Sequence, residues 1–430
     1  MNTKTTLPLT TTVILAGLAL LGQLSLLGCL ATEAERPPAS LQGTPYIVAP
    51  DGDDNNPGTE AAPWQTIQHA AETLAPGDTV YARAGVYHEA VSIEVSGSAT
   101  AGYITFQNYP GEIPILDGTG LSDPDGVNAL YVDGQSYLVI QGFEIRNYTT
   151  TERNTVPIGI QITGDSHHIQ LLDNHLQHIE THAPVDADLL GADAHGIAVY
   201  GNHDSPIHAL LIKGNELHDL TLGSSEALVL NGNVTGFTIT HNLIHDCDNI
   251  AIDLIGFEET APTPALDQAR DGLVSDNTIY NIDTLDNPAY GGEQSAGGIY
   301  VDGGTRITIE RNLVHSSNLG IEIASEHGGR ATTHITARNN LIYHNTMTGI
   351  ALGGYDTERG STTDCTIVNN TLYHNDSLQD GNGELMLQFD TQNNVIKNNV
   401  FYANAQSLFI SNSYTQNSGN VVDYNLYFAP

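Results

Sequence analysis

Basic residues are scarce in this chain. Lys and Arg number 13 against 50 Asp and Glu in 430 residues, a formal net charge of −37. Such a surface repels a phosphate backbone, which excludes nucleic acid as a partner, and it repels polyanionic glycans unless a divalent cation intervenes. There are three lysines, Lys4, Lys213 and Lys397, so amine chemistry has few places to reside. Cysteine is equally rare, at Cys29, Cys247 and Cys365, and no zinc-type Cys/His spacing occurs. Charged residues make up only 15%, and no stretch after the N-terminus keeps a 3.6-residue apolar period long enough for a long helix. Glycine, at 43 residues, and asparagine are plentiful, which suits short strands joined by tight turns.

The N-terminus departs from this pattern. Lys4 is followed by an apolar run ending in Leu26-Leu27-Gly28-Cys29. A charged start, an apolar core and a small residue before the cut form an export signal over residues 1–28. The Leu-Leu-Gly-Cys ending resembles a bacterial lipobox, which implies lipid on Cys29, membrane attachment through that lipid alone, and a location facing the cell exterior or periplasm. Residues 29–44, rich in Pro, Ala and Ser, read as a flexible tether. Residues 45–125 read as an N-terminal cap with the first coils, and 126–430 as the main repeat array.

The repeat organises the chain. Nine segments carry Asn at a fixed place, at Asn174, Asn215, Asn242, Asn277, Asn312, Asn340, Asn370, Asn399 and Asn425. Three residues before each is an apolar residue (Leu171, Ile212, Ile239), and two residues after is another (Leu176, Leu217, Ile244), with the remaining segments matching in register. Intervals of 26 to 41 residues between these Asn signify a solenoid. Short alternating strands with an Asn at one turn predict an all-β, single-stranded parallel β-helix of roughly ten to twelve coils carrying an Asn ladder. His245, Tyr280, His315 and Tyr343 follow the Asn and predict a stacked row, for which metal ligation is the alternative. Cys247 and Cys365 fall about four coils, roughly 19 Å, apart, beyond the roughly 7 Å a disulfide spans.

A second strand series precedes the Asn strands. Its members include "IAVYG" (197–201), "LVLNG" (228–232), "IAIDL" (250–254), "IYVDG" (299–303), "IEIAS" (321–325) and "LFISN" (408–412). Side chains alternate, so the first and third places point inward and the second and fourth outward. Aligned on those places, the outer fourth column contains Tyr200, Asn231, Asp253 and Asp302, and the outer second column contains Tyr300, Glu322 and Phe409. This alignment predicts Asp253 beside Asp302 on consecutive rungs, with Glu322 in the adjacent column, all three facing a groove. Carboxylates at that spacing raise one another's proton affinity or bind a cation. Insertions at 180–196, 257–272, 281–298, 325–334 and 353–364 are expected to wall the groove. They add Glu326, His327, Arg330 and Arg359, while Tyr200 and Tyr300 are expected as exposed aromatics for sugar faces.

The stretch "YIVAPDGDDNNPGTEAAPWQTIQHAAETLAPGDTVYARAGVYHEAVSI" (46–93), then "YITFQNYPGEIPILDG" (103–118) and the Asn repeats, is similar to right-handed β-helix proteins of the pectin-lyase fold, most of all family 9 pectate lyases. The resemblance implies β-elimination on a uronic-acid polymer and Ca²⁺ held by acids on adjacent coils. Asp253, Asp302 and Glu322 match that position. The family's base is a lysine. Lys213 and Lys397 lie beside the Asn ladder, so Arg330 or His327 is the base the resemblance leaves here. Catalytic candidates are thus Asp253, Asp302, Glu322 and Arg330. Substrate-binding candidates are Tyr200, Asn231, Tyr300, Glu326, His327 and Arg359. The expected partner is a polysaccharide, met by a monomer. Two alternatives stay open: a glycoside hydrolase using a carboxylate pair, and a non-catalytic glycan-binding solenoid.

Overall fold

Every rung of the structure, a computed structural model, repeats one circuit of three short strands. Residues 44–121, 128–187 and 189–430 are described. The export segment, Cys29 and the tether up to residue 43 lie outside them. Among the described residues the strands form parallel sheets of 13, 11 and 12 members and a small one of three, in keeping with the expected ten to twelve coils. Each strand pairs with the equivalent strand of the next coil, as Leu171 does with Ile212 and Leu176 with Leu217. This is a right-handed parallel β-helix.

The sheets enclose a single apolar column. Ile140, Ile169, Ile212, Ile239, Ile309 and Ile367 are fully buried, as are their partners on the other sheets. Burying such a side chain stabilises by about 1.5–3 kcal/mol, so the stack of coils supplies most of the folding energy. Cys247 and Cys365 are free thiols buried in this column and pack as small hydrophobes.

All nine predicted ladder asparagines stack. Each Nδ2 except that of the terminal Asn425 donates to the Oδ1 of the next Asn, as Asn242 does to Asn277 (3.0 Å) and Asn277 to Asn312 (3.0 Å). Each also donates to a carbonyl of the preceding coil, such as Asn277 to Ile239 O (3.1 Å). The residue before each Asn takes positive φ, for example Asp276 (57°) and Asn339 (57°), with Gly214 (71°) at one rung. The turn thus needs a left-handed residue followed by an amide that satisfies the exposed turn groups, which is why Asp, Asn or Gly precedes six of the nine, with His241, Arg311 and Tyr424 held at positive φ before the others.

The row after the ladder stacks as expected. His245 and Tyr280 lie 4.8 Å apart at 5°, Tyr280 and His315 5.2 Å at 5°, and His315 and Tyr343 4.6 Å at 14°. A helix, Ile67–Thr73, closes the N-terminal end and buries Ile67, Ala70 and Ala71. Thr66 caps it by accepting the His69 N–H, and the Glu89 carboxylate accepts the Ile67 and Gln68 N–H groups.

Candidate functional site

The 11-stranded sheet carries the candidate site, with one change of register. Strand Ile252–Ile255 pairs Leu228 with Ile252 and Val229 with Asp253 on one side, and Ile252 with Ile299 and Asp253 with Tyr300 on the other. Asp253 therefore belongs to the column of Tyr300 and Glu322, since Tyr300 pairs with Glu322. Asp302 stands in the next column, where it pairs with Ala324. The predicted Asp253–Asp302 column is corrected by two residues. "IAIDL" has apolar residues at 250, 252 and 254, and only pairing decides which of them begins the rung. The same slip occurs at the last strand, where Ser411, and not Phe409, pairs with Met386.

The acids still converge, and they do so below the surface. Asp253 and Asp302 are each 3% exposed and Glu322 7%. This corrects the expectation that the first two face open solvent. Loop residues cover them: Phe257 and Glu258 from one insertion, Glu326 and His327 from another. Glu226, just ahead of strand Leu228–Gly232, is a further half-buried acid of the cluster. Glu226 and Glu258 were not singled out from the sequence. Glu258 lies inside a flagged insertion, but nothing in Phe-Glu-Glu says which Glu turns inward.

Electrostatics follow from that crowding. Burial, then Glu226 and Asp302, push the Asp253 carboxyl well above the ordinary range. Burial, then Glu326, do the same to Asp302, opposed by the Glu326 N–H that donates to its Oδ1 (2.7 Å). Burial and then Glu326 raise Glu322 to about 8; burial and then Glu258 raise Glu226 to about 8. Asp253 Oδ1 is buried with no hydrogen-bond partner among the described residues. A buried carboxylate oxygen in that state is costly unless a proton or a cation meets it. The Oδ/Oε/N donors of Glu258, Asp302 and His327 lie within 4.8 Å of one another. The groove donors that meet this closely are these, a different set from Asp253, Asp302 and Glu322. The oxygen-rich surroundings suit a hard dication, with His327 as the departure from an all-oxygen shell.

Beside this cluster opens a cavity of about 380 Å³ lined by Tyr290, Tyr300, Glu322, Glu326, Tyr355 and Gln388 among others. That size and mix of aromatic and polar walls is ordinary for a small-ligand site. Tyr300 is 4% exposed, which corrects its expected role as an exposed aromatic. Tyr200 is half-buried, its hydroxyl within 2.8 Å of His195 Nε2, and is no open sugar platform. The exposed aromatic is Tyr355, with the Arg359 guanidinium 4.5 Å over its ring. Arg359 also holds the Glu326 carboxyl lower than burial alone would leave it. Asn231 donates to Glu258 Oε2 (2.9 Å) and accepts from Thr260 Oγ1 (2.8 Å), which anchors the covering loop. Arg330 is exposed, 5.1 Å over Phe257, and His327 Nε2 is buried without a partner among the described residues. Lys213 and Lys397 lie on the 13-stranded sheet, away from this cluster.

Comparison with known proteins agrees with the fold. Residues 46–191 match the family "Pel9A-like, right handed beta helix region", and residues 265–428 match "Right handed beta helix region". The chain is 42% identical over 386 residues to the uncharacterized protein YwoF of Bacillus subtilis, spanning 90% of this chain and 80% of that one. It is 30% identical over 205 residues to pectate lyase PEL9 of Emericella nidulans, 45% of this chain and 47% of that one. Among solved structures, the GH136 lacto-N-biosidase from Eubacterium ramulus superposes with a TM-score of 0.63 at 15% identity, over 90% of this chain and 68% of that one. The mannuronan C-5 epimerase AlgE6 A-module of Azotobacter vinelandii gives 0.52 at 14%, over 83% and 84%. At those identities the likeness is one of fold.

Proposed function

The chain belongs to the family of right-handed β-helix proteins that includes YwoF, and from that premise we propose that it is an exported, lipid-anchored enzyme cleaving a uronic-acid-containing polysaccharide by cation-assisted β-elimination. The observation that carries this reading is the buried acid cluster with an unpartnered oxygen on Asp253. A structural solenoid gains nothing from burying three carboxyls against one another without a base. The pectate-lyase likeness over 205 residues supports the substrate class.

Asp302 and Glu258, with Asp253 beneath them, would hold Ca²⁺. When bound, the ion supplies positive charge that draws in the substrate carboxylate and acidifies the adjacent C–H. Arg359, stacked on Tyr355 at the cavity, pairs with a uronate carboxylate. With the ion held by carboxylates alone, His327 would stay unligated and accept the proton, since its Nε2 has no other partner among the described residues. Tyr300, whose phenol burial and then Asp302 hold well above its ordinary range, stays protonated and can donate to the leaving oxygen.

Hydrolysis is the second reading, favoured by Glu322. Its carboxyl sits on the cavity and keeps its proton to about pH 8, as a general acid requires. Asp253 stands two rungs from it, so their Cα atoms are roughly 9.6 Å apart, which is nearer the wide carboxyl spacing of inverting enzymes than the narrow one of retaining enzymes.

The test incubates the purified protein with pectic, alginate and neutral glycans, with and without chelator. Ultraviolet absorbance of an unsaturated uronate that disappears with chelator is expected. New reducing ends without that absorbance move the assignment to hydrolysis. Binding with neither product overturns both.

A further inference from the structure

A second cluster of ligating side chains lies outside the groove, on the 12-stranded sheet. His175 opens strand His175–Thr181, and Glu216 and His218 lie on Glu216–Leu220, one rung further. The register places His175 opposite Glu216, and His218 opposite Gln177. Alternation sends all three to the outer face. There a nitrogen of each histidine and a Glu216 oxygen lie within 4.8 Å of one another. His175 Nε2 and His218 Nε2 point at each other 2.6 Å apart.

We propose that His175, Glu216 and His218 form a binding site for a transition-metal dication of the zinc class. Two imidazoles and one carboxylate are the donor set such ions take, with water completing the shell. The orientation of the rings is already set. Asp219 takes φ of 50°, which breaks the strand alternation and returns its carboxylate to the outer face. There its Oδ2 sits 2.6 Å from His218 Nδ1. A carboxylate on Nδ1 fixes the tautomer and leaves Nε2 as the free donor. The next rung repeats the device. His245 stacks on His218 (4.9 Å, 0°), its Nδ1 lies 2.6 Å from Asp246 Oδ2, and its Nε2 lies 3.4 Å from Glu216 Oε1. Glu216 is thus held between two histidine edges.

Zinc-nitrogen bonds of about 2.0–2.1 Å at a tetrahedral centre separate two nitrogens by roughly 3.3 Å. The Nε2 pair therefore opens by less than 1 Å to admit an ion, and the proton now between the two nitrogens passes through solvent to His175 Nδ1, which frees both Nε2 lone pairs. Further along the same row, Tyr280, His315 and Tyr343 alternate phenol with imidazole, and the row only stacks. The site would tie neighbouring coils together as a surface clasp.

The test titrates the chelator-stripped protein with zinc chloride by calorimetry and with cobalt chloride by visible spectroscopy. One tight equivalent at micromolar concentration or below is expected, with a tetrahedral cobalt band and a raised melting temperature. Calcium should leave the site empty. His175→Gln or His218→Gln should abolish the band, and Asp219→Asn should weaken binding about 10- to 100-fold. The control is His208→Gln, in the separate trio His167, His168 and His208, which should bind as wild type. Absence of micromolar binding, survival of the band in both His175→Gln and His218→Gln, or its loss in His208→Gln alone would each overturn the assignment. Melting curves of each variant without metal separate loss of the site from loss of the fold.

Discussion

Asp253 and Glu322 flank Tyr300 in one column of the groove sheet, each one rung from the phenol. All three are buried, and no basic side chain pairs with either acid among the described residues. The phenol keeps the two carboxyls from sharing a single proton directly, so each is left to a proton of its own or to a cation. That arrangement ties stability to pH and to metal, and it yields the first three expectations.

Asp253→Asn should lower turnover on the cleaved glycan by about 100-fold or more, and Glu322→Gln should do so where the reaction is hydrolysis. The same changes should raise the melting temperature at pH 8, because they remove buried charge without changing shape. Loss of activity with gain of stability, read by product release and calorimetry, distinguishes a working acid from a supporting one.

Stability should fall as pH rises from about 5 to about 8.5. Glu226 and Glu322 hold their protons to about 8 in the folded chain, against 4.5 when unfolded. Between those values the folded state binds more protons, so raising the pH favours unfolding. Buried His195, held down at about 4 against 6.5, opposes this below about 6.5, so the two carboxyls set the sign and the histidine reduces the gain on acidification. Melting temperatures across this range check the slope, and Glu322→Gln should flatten it.

Calcium should restore the alkaline loss. At pH 8.5 a millimolar excess is expected to raise the melting temperature of the wild type, and much less that of Asp302→Asn, since Asp302 lies among the converging donors.

Arg359→Ala should raise KM for an acidic glycan several-fold with little change in kcat, because it removes a substrate contact and no reacting group. Initial-rate kinetics check the split.

Asn277→Ala should destabilise by about 3–5 kcal/mol without touching the groove. It removes the acceptor of the Asn242 N–H and of one Asn242 Nδ2–H, and the Nδ2 donor to the Ile239 carbonyl, all buried. Denaturant unfolding gives the value, and Asn425→Ala at the exposed last rung should cost far less.

The solenoid was legible before any coordinates because its constraints are local and repeated. A left-handed residue, an amide and two inward apolar residues recur at every turn, so Asn174 to Asn425 could be stacked by eye. The stacked row at His245 and Tyr280 followed from the same repeat. Which acids meet was less legible. A strand slipped by one residue turns its apolar face outward, but a slip of two keeps the face and moves every side chain along it. In "IAIDL" nothing local separates the two choices, so the alignment sets Asp253 beside Asp302 where the pairing sets it beside Tyr300.

Sequence alone therefore determined the coil, its ladder and the face on which the acids lie, because alternation and turn chemistry act within a few residues. Only the tertiary structure decided that Asp253 stands next to Tyr300, that Glu226 and Glu258 join the cluster, and that the loops close over it. Those outcomes depend on strand pairing and on loops packing across rungs, where residues far apart in the chain compete for the same few ångströms.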